Sequence, residues 1–206
     1  MQRKTAALVT MAAVIFLVVT GALAGKVLFE DKFATMDPSW GASSAIMNVK
    51  DGKFVITPEK NTTQTILNQA NVLPNDMEAS FTMTFLQVPA PTWGSGLVFW
   101  AKDYDEYYAL LINAQGWFAV QRHVANRYLL PVAWRENDAI KKGEGAENQV
   151  KVVCKGNQAT IIINGKEVIG LQGQPPQGGS LIGLKVASGP EGANSVGFGN
   201  LQVTQP

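Results

Sequence analysis

From residue 25 onward the chain reads as short apolar or alternating runs punctuated by Gly, Pro, Asn and Asp, without sustained 3.6-residue periodicity. The clearest alternation covers 77–85. Met77, Ala79, Phe81, Met83 and Phe85 fall on one side and Glu78, Ser80, Thr82 and Thr84 on the other, as in a strand with one buried face. Further strands are predicted at 27–33, 53–57, 63–67, 96–101, 106–113, 117–123, 128–134, 148–155, 158–164, 166–169, 181–187 and 195–204. Asn164-Gly165 between apolar runs signals a hairpin, because a type I′ turn needs positive φ at both central residues. Pro89, Pro91 and 93–96 mark one loop, and 172–180 another. Such a series leaves no room for crossover helices. The expected fold is therefore all-β, an antiparallel two-sheet β-sandwich, with 25–206 forming one domain.

Residues 1–24 follow a different pattern. Arg3 and Lys4 precede a stretch from Ala6 to Thr20 without charge, and Gly21-Ala22-Leu23-Ala24 supplies small residues for cleavage. This predicts a signal peptide and an exported product, periplasmic or extracellular. The alternative is an uncleaved N-terminal membrane anchor, since the 19 apolar residues from Ala6 to Ala24 lie at the short end of a bilayer span. Without Arg3 and Lys4 the 17 basic residues become 15 against 16 acidic ones, so the net charge moves from +1 to −1. No polybasic surface then favours nucleic acid, or a membrane once the leader is removed. One Cys and one His exclude a disulfide framework and the multi-Cys and multi-His metal sites. Cys154 shares a strand face with Val150 and Val152, which predicts a buried, inert thiol.

Several local patterns occur in a telling order. Phe29-Glu30-Asp31-Lys32-Phe33 is followed by Trp40, then by Val49-Lys50-Asp51-Gly52-Lys53-Phe54. Gly94 to Trp100 and Glu106-Tyr107-Tyr108-Ala109-Leu110 occupy the middle of the chain. Glu147 to Val152, Lys155-Gly156-Asn157, Ile162 to Lys166, Gly183-Leu184 and Val196 to Leu201 complete the set. Taken together this series resembles the concanavalin A-like, laminin-G-like jelly rolls, and most of all the 3-keto-disaccharide hydrolase-like branch of exported bacterial proteins. The resemblance implies a jelly roll and admits a 3-keto-glycoside hydrolase or lyase activity. It says little about activity by itself, because one fold hosts many functions.

The residues supply no catalytic pair. A retaining glycosidase needs two carboxyl groups about 5–5.5 Å apart, and the E-x-D-x-x-E motif of the family 16 glycosidases on this fold is absent. Asp103-Tyr104-Asp105-Glu106 reads best as a solvated turn, with sugar or Ca²⁺ contact as alternatives. No G-x-S-x-G elbow or phosphate-binding Gly loop occurs. No cofactor is therefore expected; Ca²⁺ stays possible through loop oxygens but has no EF-hand spacing behind it.

Strand parity nominates a binding face instead. With Leu97, Phe99, Tyr108, Leu110, Ile112, Phe118 and Val120 inward, the outward set is Trp100, Tyr107, Asn113, Trp117, Gln121 and His123. Aromatic rings beside amide and imidazole groups suit a shallow carbohydrate groove, if the three strands are neighbours. The same residues could equally cover a second apolar layer or pack beneath the 89–95 loop. Arg122 has core-facing parity, so it is expected to sit at a strand end, snorkel or meet a carboxylate. The function expected is non-catalytic binding of a carbohydrate or glycoconjugate. The alternatives are the enzyme that the resemblance implies and an envelope structural or protein-interaction domain.

Overall fold

The computed structural model describes residues 25–206, and the leader expected at 1–24 lies outside them. Among the described residues no helix is long and apolar enough to cross a membrane. Fourteen strands of the described residues form two antiparallel sheets. The eight-stranded sheet runs β12 (Lys166–Gln172), β11 (Gln158–Ile163), β10 (Glu147–Lys155), β5 (Met77–Gln87), β14 (Ser195–Thr204), β3 (Lys53–Ile56) and β2 (Met47–Lys50), with β1 (Val27–Asp31) also paired to β14. The six-stranded sheet runs β4 (Thr63–Leu67), β13 (Leu181–Ala187), β6 (Ser95–Ala101), β7 (Tyr107–Ile112), β8 (Trp117–Val124) and β9 (Arg127–Glu136).

Local chemistry sets the turns. Asn164-Gly165 takes φ of 50° and 79°, as its type I′ reading requires. Asp51-Gly52, at 52° and 69°, joins β2 to β3. β2 was not among the expected strands, because Met-Asn-Val-Lys is short and its burial barely alternates.

The core fills the space between the sheets. Met77, Ala79, Phe81, Met83 and Phe85 of β5 are all buried there, with Val150, Val152 and Cys154 of β10. Burial pushes the Cys154 thiol above its ordinary pKa. From the other sheet come Leu97, Phe99, Tyr108, Leu110, Ile112, Phe118, Val120, Ile182, Leu184 and Val186. Each fully buried side chain of this size contributes roughly 1.5–3 kcal/mol relative to exposure.

Trp100 departs from its expected outward position. It is buried in the core beside Phe99, because β6 carries a bulge. Gly183 pairs with Val98 but Leu181 pairs with Ala101, so Phe99 and Trp100 together oppose Ile182. A positive φ of 46° at Trp100 accompanies the irregularity. Its Nε1–H donates to the Asn75 carbonyl at 3.1 Å, and its ring meets Tyr108 edge-on at 5.6 Å. Gly173 lies against this ring so closely that a Cβ there would stand 2.5 Å from it.

The outer face of the six-stranded sheet is also covered. Leu67, Val98, Ala101, Tyr107, Ala109 and Leu111 form a second buried apolar cluster, with Trp134 and Leu181 packed against it. Asp103 turns the chain into β7, its carboxylate accepting from the N–H groups of Asp105 and Glu106 at 2.8 and 2.9 Å. Arg122 follows its core-facing parity: its guanidinium lies 5.3 Å from the Tyr108 ring centroid and 3.9 Å from Glu106.

Candidate functional site

The second apolar layer encloses a charge. In β13, Ile182, Leu184 and Val186 point into the core, which turns Lys185 onto the outer face. An outward lysine ordinarily reaches water, yet Lys185 is only 4% exposed. Its Nζ donates to Gln121 Oε1 at 2.7 Å and to Tyr107 Oη at 2.9 Å. β13 and β8 are separated by β6 and β7, about 14 Å at ~4.8 Å per strand. Lys185 and Gln121 span that gap by reaching towards each other over Gly96, which pairs with Lys185, and Ala109, which pairs with Gln121.

Aromatic rings replace a counter-ion. The Lys185 ammonium sits 5.1 Å from the Tyr107 centroid and 4.8 Å from that of Tyr128. His123 stacks on Tyr128 at 4.4 Å and lies 5.3 Å from Tyr107, while its Nδ1 is 3.1 Å from the Tyr104 carbonyl. Among the described residues no carboxylate lies within ion-pair distance of Lys185. Burial therefore depresses its pKa from 10.5 to about 8, and burial pushes the Tyr107 phenol above its ordinary range.

Above this floor opens a groove of about 440 Å³ walled by Trp93, Leu111, Tyr128 and Trp134, with Gln121 and Lys185 at its base. The volume falls in the ~300–1,000 Å³ range of small-ligand sites. The β9 wall depends on two irregularities. Val132 pairs with Val120 on the core side, whereas Arg135 pairs with Phe118 and Leu129 with Arg122. The extra residues fall at Leu130-Pro131 and Ala133-Trp134, which returns Tyr128 and Trp134 to the outer face. The opposite rim is held by buried Asn194. Its Nδ2 donates to the Ala90 and Ala187 carbonyls at 2.9 Å each, and its Oδ1 accepts from the Ala90 N–H at 3.1 Å. Those bonds fix the loop that carries Trp93 to the end of β13.

Of the six residues nominated by parity, Tyr107, Gln121 and His123 come together around Lys185 and Tyr128. Trp100 is excluded by its bulge. Asn113 is buried in the β7–β8 turn, where Oδ1 accepts from the N–H groups of Gln115 and Trp117 and Nδ2 donates to the Thr92 carbonyl. Its side chain organises a turn. Trp117 is 39% exposed at the start of β8 and does not line the groove. Lys185, Tyr128, Trp134 and Trp93 escaped the parity argument. Gly96, paired with Lys185, and Ala109, paired with Gln121, were the available signal.

A larger depression of about 790 Å³ runs past Asp37, Trp40, Gln64, Gln69 and Tyr104. Both of its ionisable side chains, Asp37 and Tyr104, are exposed, and the Asp37 carboxylate caps the backbone at Ser39. The smaller groove, with its buried cation, is the better candidate. No cluster of three or more His, Cys, Asp or Glu side chains converges among the described residues.

No family model and no curated protein sequence matches the chain. Solved structures do. The carbohydrate binding module CBM66 from Bacillus subtilis superposes with a TM-score of 0.56 at 14% identity, over 73% of this chain and 94% of that one. A Bacillus subtilis protein of unknown function with a galectin-like fold gives 0.64 at 10% identity, over 88% and 97%. The exoplasmic/lumenal domain of VIP36, in a Ca²⁺/Man3GlcNAc-bound form, gives 0.61 at 13% identity, over 86% and 90%. The chain has a concanavalin A-like jelly-roll fold. The 3-keto-disaccharide branch suggested by local patterns is matched by no family model. In this jelly roll the groove occupies the face of the six-stranded sheet turned away from the core.

Proposed function

We propose that the protein is an exported, non-catalytic saccharide-binding domain that takes a sugar into the groove between Trp93, Tyr128 and Trp134. The observation that carries this reading is a set of three aromatic walls over a polar base of Gln121 and Lys185. Aromatic faces hold the apolar side of a sugar ring, while the amide and the ammonium address its hydroxyls. Structural neighbours that include a carbohydrate binding module support it at the level of fold. The groove lining contains no carboxylate, so it offers nothing to a paired-acid glycosidase mechanism.

Binding to a broad glycan array, followed by calorimetry with the best binder, tests the proposal. Trp134→Ala and Tyr128→Ala are each expected to weaken binding at least about tenfold, as loss of an aromatic anchor does. Their circular dichroism and unfolding transitions should remain cooperative. An array on which no saccharide binds would overturn the reading.

A further inference from the structure

Lys185 is a cation whose surroundings leave its charge unanswered. It is all but covered by its own sheet and by the walls of the groove, yet both oxygens that accept from it are neutral. Two of its three N–H groups are used, and the side chain forms part of the groove base. Every element around it supplies neutral or aromatic groups: Thr63 from β4, Gly96 from β6, Tyr107 from β7, Gln121 and His123 from β8, and Tyr128 and Trp134 from β9. Glu191, beside Trp93 at Gly189, is the carboxylate at the rim, and it does not reach ion-pair distance of Lys185. A buried ammonium without a counter-ion is costly to maintain, and the cost falls when an anion arrives from outside.

We propose that the groove selects saccharides bearing a carboxylate, with the Lys185 ammonium as the receptor for that group and Gln121 addressing the adjacent hydroxyl. This rests on the saccharide-binding reading above and narrows its ligand to acidic sugars. The aromatic walls exclude water from the pair, so a carboxylate docking there makes a charge-assisted hydrogen bond in a low-dielectric setting. Cation–π contact with Tyr107 and Tyr128 holds the ammonium in place beforehand, which limits the ordering that binding must impose.

The test uses matched pairs: trigalacturonate against its methyl ester, and a hyaluronan tetrasaccharide against its carboxyl-reduced form. Calorimetry is done with the wild-type protein and with Lys185→Met. In at least one pair the acidic member is expected to bind about tenfold or more tighter than its neutral partner, the factor equivalent to ~1.4 kcal/mol. Lys185→Met should remove that preference, so that the acidic and neutral members of the pair bind the variant with equal affinity. If Lys185→Met does not fold, the wild-type preference is followed from pH 7 to 10. For the hyaluronan pair it should shrink as the amine loses its proton, since neither oligosaccharide of that pair changes charge there. Equal affinities for acidic and neutral members would overturn acid selection and leave the saccharide-binding reading standing. Failure of both members of both pairs, together with an empty array, would overturn the two readings together. A preference untouched by Lys185→Met would place the acid receptor elsewhere and refute the inference.

Discussion

Burying Lys185 gives the domain a pH dependence of stability that is unusual in sign. Its pKa falls from 10.5 to about 8 on folding, so the protonated form costs the folded state ~3 kcal/mol at 1.36 kcal/mol per unit. Between these two values the unfolded chain binds more protons than the folded one, and stability therefore rises with pH. The penalty is fully present below pH 8 and is relieved progressively above it. From pH 7 to 9 the expected gain is about 1 kcal/mol. Two other groups oppose it at higher pH. Cys154 and Tyr107 have folded pKa values raised above 9.0 and 10.0 respectively, so the unfolded state loses those protons first. Their contributions are present below the ordinary values and are lost as pH rises beyond them. A stability maximum near pH 9 follows. Urea unfolding at half-unit pH steps measures it, with Lys185→Met as the comparison. In the variant the rise between pH 7 and 9 should vanish and the decline above pH 9 should remain. The absolute stability of the variant is less informative. Relief of ~3 kcal/mol is offset by two lost cation–π contacts at ~1 kcal/mol each and an unpaired Gln121 oxygen at ~1–3 kcal/mol. A flat wild-type profile from pH 7 to 9, or the same slope in both proteins, would refute the reasoning.

Other consequences are directly measurable. Trp100→Ala should cost about 3–5 kcal/mol in chemical denaturation, as a core cavity does, whereas Trp117→Ala should stay within about 0.5 kcal/mol. Asn194→Ala removes the partner of the Ala90 N–H and of the Ala187 carbonyl and leaves the Ala90 carbonyl only the Trp93 N–H, and a loss of about 2–4 kcal/mol is expected by urea titration. Cys154 should resist a thiol reagent in the native protein and react fully in guanidinium, with native-state labelling tracking global unfolding.

The sheets were legible because their signal is local. Alternation in β5 and the Asn-Gly turn after β11 depend on neighbouring residues alone, and both survive in the folded chain. The face was less legible because a bulge carries no reliable sequence mark. One at Phe99-Trp100 sent a tryptophan inward, and two in β9 returned Tyr128 and Trp134 outward while Val132 stayed in the core. Pro131 within β9 hints at the second irregularity, since proline inside a strand belongs at a bulge or an edge. Lys185 was invisible for a different reason. Leu-Ile-Gly-Leu-Lys-Val-Ala reads as a half-buried strand with an ordinary solvent-facing lysine, and only walls raised by β7, β8 and β9 close over it.

The Asn194 clamp bears on how a ligand would come and go. Buried hydrogen bonds tie this rim down against opening and closing, so association is expected to be governed by encounter and orientation and not by a gating step. Differences in affinity among ligands would then lie in dissociation rates. Amide exchange at Ala90 and Asn194 would change little on saturation. Under the saccharide-binding proposal, such a fixed lip would permit rapid trial and rejection of ligands.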